Sequence, residues 1–282
     1  MITNSIDQLT QHQQNTLIQH TAKKGDIYAL KFLHEDLKYM GNYRAMLWAV
    51  SGGNLEIVSY LYTKGYGLKT EMAKEAAKHG HHEVLHFIYD KEPECIKSSV
   101  LVTAIRHKNM GCAHMLFLRN CPVGNDVAYE AAEHGHIDIL HLLYARCISM
   151  NESVMRVAIE KGYYNIVTFL FDHGFPVPAN VMEIAVTYNR KDVLILFQSF
   201  GYTLSPNLCL YAAQHNNLDM LIHLYKCHVT HEETPKYAVT YKNFACLKFC
   251  KEINLPITED LLTIAERNCD YVCKIYIENL IH

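Results

Sequence analysis

The stretch AAEHGHIDILHLLY, Ala131 to Tyr144, decides how this chain is read, because it recurs. AAKHGHHEVLHFIY begins at Ala76, AVSGGNLEIVSYLY at Ala49, AIEKGYYNIVTFLF at Ala158 and AAQHNNLDMLIHLY at Ala212. Further copies begin at Ala104, Ala185 and Ala238, and weaker ones at Thr21 and Ala265. Successive anchors lie 26 to 28 residues apart. Self-similarity at a fixed period of this size marks a stacked repeat architecture.

Each column of the repeat has a physical reading. Five residues before the anchor stand Thr16, Ser99, Asp126, Ser153, Asn180, Asn207 and Asp260, with Arg44, Glu71 and Glu233 completing the column. Most of these cap helices well, so a first helix is expected to start there. Three before the anchor the residues are mostly apolar (Met46, Leu101, Met155, Met182). With the anchor alanines they form an i, i+3 stripe for burial. Four after the anchor come Gly25, Gly53, Gly80, Gly135 and Gly162, then Asn189 and Asn216, which tolerate the left-handed conformation that ends a helix. The next column, including Asp26, Asn54, Asn109, Asn217, Asn243 and Asp270, is expected to cap a second helix. That helix ends near Gly65, Gly174 and Gly201, and loops such as CPV at 121–123 lead on. The unit is helix–turn–helix–loop.

This unit resembles an ankyrin repeat, most clearly in AAEHGHIDILHLLYARC (131–147), with its glycine turn and the aliphatic face after it. The resemblance runs from about Thr16 to the C-terminus. Two departures accompany it. The Thr-Pro-Leu-His start is replaced by Asp126-Val127-Ala128-Tyr129, and the period is about six residues shorter than the usual ~33, as if the β-hairpin finger were missing. The resemblance therefore implies an all-α solenoid of about ten stacked repeats, residues 16–282, after an N-terminal capping segment at 1–15, the last repeat serving as C-terminal cap. The short form is similar to ankyrin-like arrays of giant DNA viruses and intracellular bacteria, which implies a pathogen protein in a host cell.

Composition narrows the function. Half the residues are apolar, which excludes wholesale disorder. Lys and Arg number 26 against 29 acids, so no basic excess exists to neutralise a nucleic-acid backbone. Met1 to Thr16 lacks Lys, Arg and any apolar run, and no window approaches ~18 apolar residues. The ten cysteines fall mostly at apolar positions of the helical pattern, which points to reduced, buried thiols in a cytoplasmic setting. A monomer without cofactor is expected.

Candidate chemistry is sparse. His79, His107, His134 and His215 share the column three past the anchor, and are expected to pack at the turn and bond loop carbonyls rather than converge on a metal. His86, His114 and His141 would form an outer ladder able to gather charge near pH 6. Cys246, Cys250, Cys269 and Cys273 form two i, i+4 pairs, the weak candidates for zinc, against which stands their place in columns otherwise filled by Ile or Leu. Phosphate loops and nucleophile elbows are missing, and an enzyme is not expected.

The expected function is protein binding along a concave wall made by the first helices. Two past the anchor run Lys23, Ser51, Lys78, Arg106, Glu133, Glu160, Thr187, Gln214 and Thr240; two before it stand Lys74, Tyr129, Arg156, Glu183 and Leu210, and Trp48 adjoins them. The wall reads basic, then acidic, then neutral, a mosaic that orients a protein partner. Reversing Lys78, Arg106 and Glu133 is expected to weaken binding without altering thermal stability. Two alternatives are an adaptor delivering ligands to ubiquitin ligation and a metal- or redox-responsive array using the C-terminal cysteines.

Overall fold

The structure, a computed structural model, describes residues 9–281 and contains 20 α-helices among them. Two compact units divide between Ser149 and Met150. In the first unit the first helices are α1 (Gln11–Lys24), α3 (Tyr43–Ser51), α5 (Thr70–His79), α7 (Ser98–Arg106) and α9 (Asn125–Glu133). Their partners are α2 (Ile27–Lys31), α4 (Leu55–Thr63), α6 (His82–Lys91), α8 (Met110–Leu118) and α10 (Ile137–Ala145). In the second unit the first helices are α11 (Glu152–Lys161), α13 (Val181–Thr187), α15 (Leu208–Gln214), α17 (Thr234–Thr240) and α19 (Glu259–Arg267). Here the partners are α12 (Tyr164–Asp172), α14 (Lys191–Ser199), α16 (Leu218–Lys226), α18 (Phe244–Glu252) and α20 (Tyr271–Ile281). Within each unit every first helix packs on its own partner and on the first helix of the next repeat. The fold is all-α, and each unit is a stack of helix–turn–helix repeats.

Most of these helices have seven to ten residues, too short to hold in water by propensity alone. Burial holds them. The nine anchor alanines are wholly buried, as are Ile18, Met46, Ala73, Leu101 and Met155 three residues earlier. Each large side chain so removed from water contributes about 1.5 to 3 kcal/mol. The anchors stay small because neighbouring first helices meet there.

Helix starts differ from the sequence reading. Only Asn180, Asn207 and Glu233 hold the cap position five before the anchor. In six repeats the first helix begins two residues earlier, behind Asn42, Lys69, Lys97, Gly124, Asn151 and Thr258. Asn42 and Asn151 accept from the backbone N–H groups of Arg44 and Ser153, so Ser153 is a capped residue and not the cap. Thr16 lies inside α1, which starts at Gln11 behind a reciprocal capping box between Thr10 and Gln13. That Thr-x-x-Gln pattern is a readable helix start. Of the expected capping segment at 1–15, residues 1–8 lie outside the described residues.

The turn four past the anchor is left-handed in all ten repeats, including those where Lys108, Lys242 and Cys269 replace Gly or Asn. A β-carbon costs about 1 to 2 kcal/mol in that conformation, so stacking enforces the turn where the residue does not favour it. Gly80 and Gly162 show a second demand. A β-carbon on either would stand 2.9 Å from Asn109 Oδ1 or 2.7 Å from the Arg190 guanidinium, both side chains of the next repeat.

Those side chains belong to the column expected to cap second helices, and most do something else. Asn109 Nδ2 donates to the carbonyls of Ala77 and Lys78, at 2.8 and 2.7 Å, at the end of the preceding first helix. Asn54, Asn217 and Asn243 make the same double bridge, Arg190 reaches Ile159 and Glu160, and the His81 ring reaches Ser51. None of the four asparagines caps its own helix. The two aspartates do, Asp26 for Ala29 and Asp270 for Cys273. The chemistry is direct: an amide can donate to orphan carbonyls, whereas a carboxylate only accepts.

Asp270 therefore sits in a donor's place, and its Oδ2 is buried with no hydrogen-bond partner. Asp270→Asn keeps the cap through Oδ1 and turns the unpartnered Oδ2 into a donor near the end of α17, where Asn268 Nδ2 already donates to the Thr240 carbonyl at 3.0 Å. The gain, less the lost charge at a helix N-terminus, is expected to be about 0.5 to 1 kcal/mol. A raised urea midpoint checks it; a lowered one would show that the carboxylate is needed.

Candidate protein-interaction surface

Bonding between repeats leaves one side of the first helices open. Gln19, His20 and Trp48 line a small crevice there in the first unit. In the second unit Asn207, Leu210, Tyr211, Gln214 and Tyr237 line a cleft of about 240 Å³. Apart from Asn207, five before its anchor, these positions are two before, one before and two after the anchor, so residues of these columns share an open side. A helix of 3.6 residues per turn puts such offsets on one side while the anchor and the residue after it point into the stack.

Charge on this face is arranged differently from the expected mosaic. In the first unit the column one before the anchor supplies Glu75 and Glu130, which the sequence reading passed over. Arg106 binds Glu130 with both prongs, Nε to Oε1 at 2.7 Å and Nη2 to Oε2 at 2.9 Å. His134 Nε2 lies 3.1 Å from the same Oε1. Glu130 is only 5% exposed. Burial alone would raise its pKa, yet Arg106 and His134 together hold it below the ordinary carboxylate value. Lys78 and His79 flank Glu75 at 3.6 and 2.9 Å. Arg106 is thus spent on a contact between repeats, whereas Lys78 lies near an acid of its own helix, and reversing Arg106 cannot leave stability untouched. The signal was present in the sequence: an acid one before an anchor faces the residue two past the previous one.

The other expected wall residues sit as follows. Trp48 is 36% exposed with Lys23 Nζ 4.5 Å from its ring centroid. Tyr129 is exposed and Lys74 half-buried. Arg156 Nη2 donates to Asn180 Oδ1 at 3.2 Å. Glu133, Glu160 and Glu183 are half-buried.

Four histidines of the two columns lie against carboxylates. His79 and His134 lie against Glu75 and Glu130 rather than loop carbonyls, which His81 takes instead. On the outer helices His86 meets Asp90 at 2.9 Å and also contacts Arg119, and His114 meets Asp138 at 3.4 Å. Glu130, Glu133 and His134 are the one group of three among the described residues with ligand atoms within 4.8 Å of one another. Arg106 already supplies the cation there.

The C-terminal cysteines do not converge as a set among the described residues. Cys246 and Cys250 are buried in α18, and burial pushes their thiols up to about 11 and about 12. Cys273 is buried in α20, its thiol pushed to about 12 by burial and by the Asp270 carboxylate. Cys269 is exposed in the left-handed turn, so it shares no helix face with Cys273. All ten cysteines are unpaired.

On the second-helix side of the first unit a groove of about 550 Å³ runs between Leu55, Phe87 and Met115, with Gly111 leaving room at its edge; His82, Glu83, His86 and Asp90 also line it, the first three belonging to a His-Glu-x-x-His run on α6. No described helix is long and apolar enough to cross a membrane. Compared with known proteins, the chain matches no family model and no curated protein sequence.

Proposed function

We propose that the chain is a non-enzymatic protein-interaction scaffold, an ankyrin-like solenoid of short repeats that binds a partner along the open face of its first helices in the cytoplasm of a cell. The supporting observation is that large rings stand out from this face although the same helices bury most of their other apolar side chains. Tyr129 and Tyr211 are 37% and 38% exposed, Trp48 similarly so, and all three lie on the open side. Aromatic residues with one wet edge are the usual anchors of protein interfaces. Repetition of one register from helix to helix supplies an extended surface on which several such anchors act together.

A photoreactive phenylalanine placed at Tyr129 or Tyr211 is expected to crosslink the same cellular protein. At Tyr164 or Tyr271, exposed positions on second helices, it should not. Equal crosslinking from both sides, or crosslinking from second helices alone, would overturn the assignment of the face.

A further inference from the structure

The first-helix faces of the two units are neutralised to different degrees. In the first unit Glu75 and Glu130 are held by Lys78, His79, Arg106 and His134. Of its exposed rings on this face, Trp48 is covered by Lys23 and Tyr43 by Lys69, while Tyr129 carries no cation among the described residues. In the second unit Glu160 of α11 takes the register held by Arg106, and Ile184 takes that of Glu130. Glu160 and Glu183 on the adjacent helix α13 have no ion pair among the described residues, although Arg190 bonds the Glu160 backbone carbonyl. Beyond them, Tyr211 and Tyr237 border the 240 Å³ cleft together with Leu210 and Gln214, and no cation among the described residues lies over either ring. The nearby cations are committed, Arg156 to Asn180 and Lys236 to Glu233.

We propose that the open face of α11, α13, α15 and α17 binds an extended segment of a partner protein that presents Lys or Arg side chains. This rests on the scaffold reading and specifies the chemistry of the partner. Glu160 and Glu183 pair one or two cations, and the Tyr211–Tyr237 cleft takes another against its rings. Half-buried carboxylates left without a counter-charge and aromatic faces left without a cation favour the same ligand charge. Spacing follows from packing: adjacent helices lie about 8 to 10 Å apart, and an extended peptide advances ~3.3 Å per residue. Cations every third residue therefore meet successive helices.

The test uses fluorescence anisotropy on the full chain. The probe is a labelled ten-residue peptide, Arg-Gly-Ser repeated three times and ended by Arg, and its counterpart carries Glu in place of each Arg. The Arg peptide is expected to bind at least tenfold more tightly than the Glu peptide. Glu160→Gln with Glu183→Gln should weaken it about tenfold, and Tyr211→Ala about threefold. Glu56→Gln with Glu83→Gln, the same charge change on second helices of the first unit, should leave it within twofold. Unaltered circular dichroism shows that the variants are folded. Equal binding of both peptides, or equal loss in the control pair, would overturn the proposal. Face-specific crosslinking beside a failed Arg peptide would leave the scaffold standing and sink only the cationic partner.

Discussion

Arg106→Glu is expected to lower the unfolding free energy of the first unit by about 3 kcal/mol. Removing one partner of a buried pair typically costs about 3 to 5 kcal/mol. The lower end applies here because the Arg106 side chain is 56% exposed and partly screened, while that of Glu130 is 6% exposed. The reversed charge also faces Glu133 on α9, whose field reaches Arg106. Trp48 is the sole tryptophan and lies in the first unit, so its fluorescence during urea unfolding of the full chain reports the loss. A change below about 0.5 kcal/mol, the range of ordinary surface substitutions, would show that the pair is not holding α7 to α9. The double variant Arg106→Gln with Glu130→Gln keeps hydrogen bonding without charge and should recover most of the loss.

The same pair sets a pH dependence. Glu130 has a folded pKa held below its unfolded value near 4.5, so its stabilisation is complete above that value. It is lost as pH falls through the lower folded pKa. The Gln–Gln variant should therefore lose less stability than the parent on acidification through this range; an equal loss would place the acid sensitivity elsewhere.

Asn109→Leu is expected to cost about 2 kcal/mol, roughly one for each of its two bonds to Ala77 and Lys78. Its removal takes the side-chain donor from two carbonyls at the end of α5, leaving Ala77 only the long bond from the Gly80 N–H at 3.4 Å, and leucine cannot replace it. Asn109→Asp should do at least as badly, because a carboxylate would face those carbonyls. Chemical unfolding followed at Trp48 measures both. If Asn109→Leu is neutral, the interrepeat amides contribute nothing to stacking and the gain expected from Asp270→Asn should vanish with it.

These two interactions mark where sequence reading ran out. The left-handed turn was legible at Gly80 or Asn216 because those residues favour it, and illegible at Lys108 and Cys269, where only neighbouring repeats impose it. Asn109 was correctly singled out and given the wrong task. A helix-starting asparagine and a carbonyl-bridging asparagine look alike until the previous repeat is in place 31 residues upstream. Glu130 was missed for the same reason, since its partner Arg106 is 24 residues away.

What the sequence determined by itself was periodic: the repeat length, the two-helix unit, the buried columns and the open face. Periodicity and burial are properties of one helix and its 3.6-residue turn, so they can be read without a neighbour. What only the tertiary structure decided was pairing across the stack. It settled which carboxylates are neutralised, which asparagines bridge repeats, and that Arg106 is paired whereas Glu160 and Glu183 have no ion pair among the described residues. Charges and hydrogen-bond donors take their meaning from whichever atoms lie within about 3 Å, and in a stack those atoms belong to another repeat.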